Sequence, residues 1–123
     1  MLTTKLFIRF TAFIMLIVLV LSITGSALTA PGDTTRVSVA TGGAQGNRSS
    51  SNPSISADGR YVAFTSSASN LVAGDTNGYS DVFVHDRQTG TTTRVSVATG
   101  GAQGNRSSSN PSISADGRYV AFV

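Results

Sequence analysis

The chain has 123 residues, only 12% of them charged, with a single lysine, no glutamate and no cysteine. The lack of cysteine excludes disulfides and thiolate metal sites. Of nine basic residues two, Lys5 and Arg9, lie near the N-terminus; the remaining seven arginines face six aspartates, a balance that excludes a concentrated basic patch for nucleic acid.

Lys5 and Arg9 precede an apolar run from Phe10 to Ile23, broken only by Thr11 and Ser22, and Gly25-Ser26-Ala27 follows. A basic start, an apolar stretch and a small-x-small exit form the secretory signal pattern. This predicts an apolar signal helix over residues 1–27, cut after Ala27. The alternative is an uncleaved anchor over residues 6–28, since a spanning helix wants about 20 apolar residues. Either reading places the remainder outside the cytoplasm, periplasmic or extracellular. Membrane contact would come only through this segment, if uncleaved.

The body is built on one unit. Residues 34–64 read TTRVSVATGGAQGNRSSSNPSISADGRYVAF, and residues 92–122 repeat them letter for letter at an offset of 58. A period of this size signals a propeller, a solenoid or an array. Helix formers are too sparse after residue 30 to give a helical face, whereas short β-branched runs alternate with turn residues.

In chain order, Thr34–Val39 reads as a strand and Thr41–Ser51 as a loop with almost nothing to bury. Pro53–Ser56 is a short strand, with proline tolerable at its first position. Ala57-Asp58-Gly59 is a tight turn in which Gly59 takes the positive φ that closes a hairpin. Arg60–Thr65 returns, Ser66–Ser80 is a second loop, Asp81–Asp86 a third strand, Arg87–Gly90 a turn, and Thr91–Val97 a fourth strand. In the second copy Asp116 and Gly117 occupy the same turn. Four antiparallel strands per 58 residues suit the blade of a propeller.

Asn52-Pro53-Ser54-Ile55-Ser56-Ala57-Asp58-Gly59-Arg60-Tyr61-Val62-Ala63-Phe64, followed by Asp81-Val82-Phe83-Val84-His85-Asp86-Arg87-Gln88-Thr89-Gly90, resembles the WD40-like PD40 repeat of TolB-type propellers, found in many bacterial secreted proteins. The resemblance covers nearly all of residues 33–123. Ala57 stands where that family usually has proline, a change the turn tolerates. The resemblance implies an all-β, incomplete β-propeller over 33–123. Asn52–Ser56 is then the innermost strand, and the chain supplies one outer strand, one whole blade and two strands of another. Missing neighbours should leave Ile55, Val62, Phe64, Val82, Phe83 and Val84 partly uncovered, with open strand edges prone to self-association.

Candidate sites are few. Asp75, Asn77 and Asp81 could offer oxygens to Ca²⁺, which takes six to eight hard ligands, but the loop lacks the glycine and glutamate of an EF-hand. A plain turn is the alternative. His85, the only histidine, shares its strand face with Asp81 and Phe83, which suits a packed histidine near a carboxylate. No Gly-x-Ser-x-Gly elbow accompanies it. Asn47-Arg48-Ser49 matches a glycosylation acceptor. The arginines of the repeat read as solvated strand ends or as one face of a ring. No catalytic residue and no resident cofactor other than that possible Ca²⁺ is expected. These readings point to an exported, non-enzymatic scaffold that binds an unknown protein or glycan. Two alternatives are the propeller portion of a larger secreted hydrolase, and a gene fragment without function of its own.

Overall fold

The computed structural model describes residues 32–123, and the expected signal or anchor lies outside the described residues. The described region is all-β, with two antiparallel sheets. Four strands, β1 (Ser50–Ile55), β2 (Tyr61–Ser66), β3 (Asp81–Asp86) and β4 (Thr91–Arg94), lie in sequence order. A smaller sheet pairs β5 (Ser112–Ile113) with β6 (Val120–Ala121). Within each sheet consecutive strands are antiparallel neighbours.

The β1–β2 hairpin turns at Asp58-Gly59, with Gly59 at φ 71° and Gly117 at φ 73° in its second copy. The turn is closed by side chains. Ser56 donates to Asp58 Oδ1 at 2.6 Å, which also accepts the Arg60 N–H at 3.0 Å, while Ser56 Oγ accepts the Tyr61 N–H at 3.0 Å. These bonds, chiefly the one from Ser56, hold the Asp58 carboxyl below its ordinary value.

β1 is longer than the sequence suggests. It starts at Ser50, and its register shifts between Ser51 and Ser54, so that Pro53 sits inside the strand. A bulge there explains how a residue without an N–H is accommodated mid-strand. Asn52, at φ 51°, supplies the bend, a left-handed conformation that asparagine tolerates better than most residues.

The first expected strand does not form. Thr34–Val39 contributes only the bridge between Val39 and Gln45, although its copy at 92–97 holds most of β4. β4 itself stops at Arg94 rather than Val97, and one further bond, from the Val95 N–H to the Val82 carbonyl at 2.9 Å, extends its pairing. Strands need a partner edge, and of the two copies of this segment only the second lies beside β3.

Cross-strand register puts Val62, Phe64, Phe83, His85, Thr92 and Arg94 on one face. The Phe64 and Phe83 rings stack there with centroids 5.9 Å apart. Ala68 and Leu71, from the loop expected to be merely polar, close over them with Val72 at the margin. Gly46 packs against this lid: a Cβ there would lie 3.4 Å from both Ala68 and Leu71. On the opposite face Ser54 Oγ accepts the Ile113 N–H at 3.1 Å, so the second-copy hairpin covers that side. The expected exposure of core strand residues is therefore corrected. Val62, Phe64, Val82 and Phe83 are buried, Val84 is half-buried, and only Ile55 stays exposed, at 58%. A folded-over loop and the next hairpin do what neighbouring blades were expected to do.

Candidate functional site

The loop before β3 brings Asp75, Asn77 and Asp81 together, but around a guanidinium. Arg94 on β4 places Nη1 3.1 Å from Asp75 and 3.6 Å from Asp81. Asn77 turns its amide N–H toward Asp81 Oδ2 at 3.0 Å and toward the Gly104 carbonyl, while its oxygen accepts the Tyr79 N–H. Burial, followed by the Asp81 charge, pushes the Asp75 carboxyl above its ordinary value against the pull of Arg94. Of the oxygens that a Ca²⁺ ion would claim, Asp75 Oδ1 faces Arg94, the Asp81 oxygens meet Ser96, Asn77 and Arg94, and Asn77 Oδ1 accepts from backbone. Among the described residues no group of three or more His, Cys, Asp or Glu could hold a metal ion.

The hub of this loop is Gln103. Its Oε1 accepts from the Thr76 and Asn77 N–H groups, both at 3.1 Å, and from Arg94 at 2.9 Å. Its Nε2 donates to the Gly74 carbonyl at 2.8 Å and to Thr76 Oγ1 at 3.0 Å. Ser96 completes the cluster, donating to Asp81 Oδ1 at 2.7 Å and accepting the Val82 N–H. Sequence reasoning missed Arg94, Ser96 and Gln103, and corrects to this: Arg94 is an interior ion-pair partner, not a solvated strand end. No local signal marks them, because their partners lie 9 to 29 residues away.

His85 is packed, as its strand position suggested, but its partner is a hydroxyl and not a carboxylate. Its Nδ1 lies 2.8 Å from Thr92 Oγ1, and that hydroxyl donates to the Val39 carbonyl. With its hydrogen spent on Val39, Thr92 accepts, so Nδ1 carries the imidazole proton. Burial lowers the His85 pKa and keeps the ring neutral. Thr92, bonded to His85, ties β4 to the first-copy segment at Val39. Asn47 is engaged as well: its amide donates to Ser69 Oγ at 3.1 Å and its Oδ1 accepts the Ser69 N–H at 3.0 Å.

Arg60 forks onto Asp86 with bonds of 3.0 and 2.7 Å. That contact holds the Asp86 carboxyl far below the usual carboxylate range. The same arginine of the second copy, Arg118, lies over the Tyr119 ring at 5.7 Å and has no carboxylate within ion-pair distance among the described residues. Beside it, Tyr61, Val84, Thr93, Val95, Gly117 and Val120 line an open groove of about 390 Å³ between the two sheets. Tyr119, Phe122 and Val123 are exposed, at 67%, 38% and 77%. Comparison with protein-family models, curated proteins and solved structures found no match to this chain.

Proposed function

We propose that residues 33–123 are a PD40-like propeller segment acting outside the cytoplasm as a non-enzymatic interaction module. The observation that carries the reading is how the two copies meet. Asn52 donates to Asn110 at 2.8 Å, and the Ala57 N–H donates to the Ala115 carbonyl at 3.0 Å. Both contacts join residues 58 positions apart. Equivalent points of successive units therefore lie side by side along the inner strands β1 and β5, the relation that successive blades hold around a common axis.

The side-chain chemistry supports binding over catalysis. Arg94, Asp75, Asp81, Gln103, His85 and Asp86 are all committed to internal partners. The second hairpin exposes Tyr119, Phe122 and Val123 together with Arg118, and aromatic residues and arginine are enriched at contact surfaces. The test is to pass the purified chain over immobilised glycan and protein panels and, in parallel, over ester, peptide and glycoside substrates. Saturable binding without turnover is expected. Turnover that survives His85→Gln but scales with the purified chain would overturn the module reading. For export, the secreted product should have the mass of residues 28–123, and a membrane-bound product retaining Met1 would replace the signal with an anchor.

A further inference from the structure

The first copy is a template for the edge that the second copy leaves open among the described residues. Tyr61–Phe64 and Tyr119–Phe122 are the same residues. In the first copy the outer edge of β2 is taken by β3, with Tyr61 opposite Asp86, Val62 opposite His85, Ala63 opposite Val84 and Phe64 opposite Phe83. In the second copy β6 pairs with β5 alone among the described residues. The Arg60 carbonyl accepts from Arg87 on the β3 side, and the Tyr61 carbonyl accepts from Ser56 on the β1 side. By the same alternation, the backbone groups of Val120 and the N–H of Phe122 point to the open edge.

Three further differences mark the same place. Arg60 has Asp86, whereas Arg118 has no carboxylate within ion-pair distance among the described residues. Phe64 is 2% exposed and Phe122 is 38% exposed. The groove, with Val84, Val95 and Val120 on its walls, lies alongside β6. A strand laid outside β6 would satisfy the edge, cover Phe122 and fill the groove at once.

We propose that the β6 edge and this groove take up one further antiparallel strand, from a polypeptide segment with the chemistry of β3. Such a segment alternates valine and phenylalanine and ends in an aspartate that meets Arg118. Its register follows the template, with aspartate opposite Tyr119, histidine opposite Val120, valine opposite Ala121 and phenylalanine opposite Phe122. Backbone pairing supplies affinity and the Arg118–aspartate contact sets register. The inference goes beyond the module reading, because it needs no closed ring.

The probe is a fluorescent peptide of residues 80–91, titrated into the full-length chain and followed by anisotropy. Saturable binding at one peptide per chain is expected, with new hydrogen-exchange protection at Val120 and Phe122 and none gained at Val62 or Phe64. Arg118→Glu should weaken binding about tenfold, in line with loss of a charge-assisted pair. A peptide carrying Arg at the Asp86 position should recover that affinity on the Arg118→Glu chain and lose it on the unaltered one. A scrambled peptide that binds equally well would overturn the proposal. So would absence of saturable binding, or affinity indifferent to the Arg118 exchange, which would signal displacement of β3 from β2 instead. Because hydrolysis is not measured, failure here leaves the module reading to its own assay.

Discussion

Residues 34–64 and 92–122 are chemically identical and structurally unequal. The first copy holds the two six-residue strands β1 and β2, but its opening segment forms no strand. The second copy opens with β4 and then manages only the two-residue strands β5 and β6. The repeated residues have the same propensity in both, so where those residues differ in pairing the cause is what lies beside them. Each stretch becomes a full strand only where β3, or a strand already held by β3, lies beside it. The pair teaches that β-propensity permits pairing and that a neighbouring edge decides it.

The comparison can be broken most sharply at the phenylalanines. Phe64→Ala should destabilise the fold by about 3 to 5 kcal/mol, since it empties a packed site beside Phe83. Phe122→Ala should cost below about 1 kcal/mol, because that side chain is already half wet. Denaturant midpoints of the two variants give the test, and equal losses would mean that the copies share one environment.

The threonines come next. Thr92 is buried between His85 and the Val39 carbonyl, while Thr34 is exposed. Thr92→Val should cost about 1 to 3 kcal/mol by stranding both partners, whereas Thr34→Val should stay within about 0.5 kcal/mol. An effect of Thr34→Val matching that of Thr92→Val would show that the first segment is also held in a sheet.

The turn glycines separate strain from packing. Both have positive φ, so alanine at either should cost about 1 to 2 kcal/mol of backbone strain. At Gly59 a new Cβ meets nothing closer than Arg87 at 3.6 Å, but at Gly117 it would lie 2.3 Å from the Tyr61 ring. Gly117→Ala should therefore also undock the second hairpin, seen as lost hydrogen-exchange protection at Ile113 while β2 and β3 keep theirs. Protection retained at Ile113 would show that Tyr61 moves aside freely.

The smallest effect is a pH dependence whose first part belongs to the sheet that has a β3. His85 has a folded pKa below its ordinary 6.5 because it is buried. As pH falls below 6.5 the unfolded chain gains a proton that the folded chain resists, so stability declines until the folded pKa is reached. A second loss should begin as pH falls below the ordinary aspartate value of 3.8, because Arg60 keeps Asp86 ionised in the fold. His85→Gln should flatten the first decline and leave the second. A first decline unchanged by that substitution would move its origin elsewhere.

The turns were written in the sequence. Ser56–Asp58 and Ser114–Asp116 form the same 2.6 Å bond, Asp116 accepts the Arg118 N–H at 3.1 Å as Asp58 accepts that of Arg60, and the paired glycines differ by only 2° in φ. The Val39–Gln45 and Val97–Gln103 bridges recur in the same way, as do the left-handed Asn52 and Asn110. All of these close within a few residues, so identical residues give identical geometry wherever they lie. Strand length, core membership and ion pairing did not follow from the residues alone. Among the described residues Arg36 reaches Gln45 and no carboxylate, while its copy Arg94 sits between two aspartates. Leu71, in a stretch that reads as polar loop, became core because Phe64 and Phe83 needed a lid. Local hydrogen bonds fixed the corners of this protein, and long-range pairing chose which edges between them would be strands, since an edge gains stability only from a partner that local sequence does not contain.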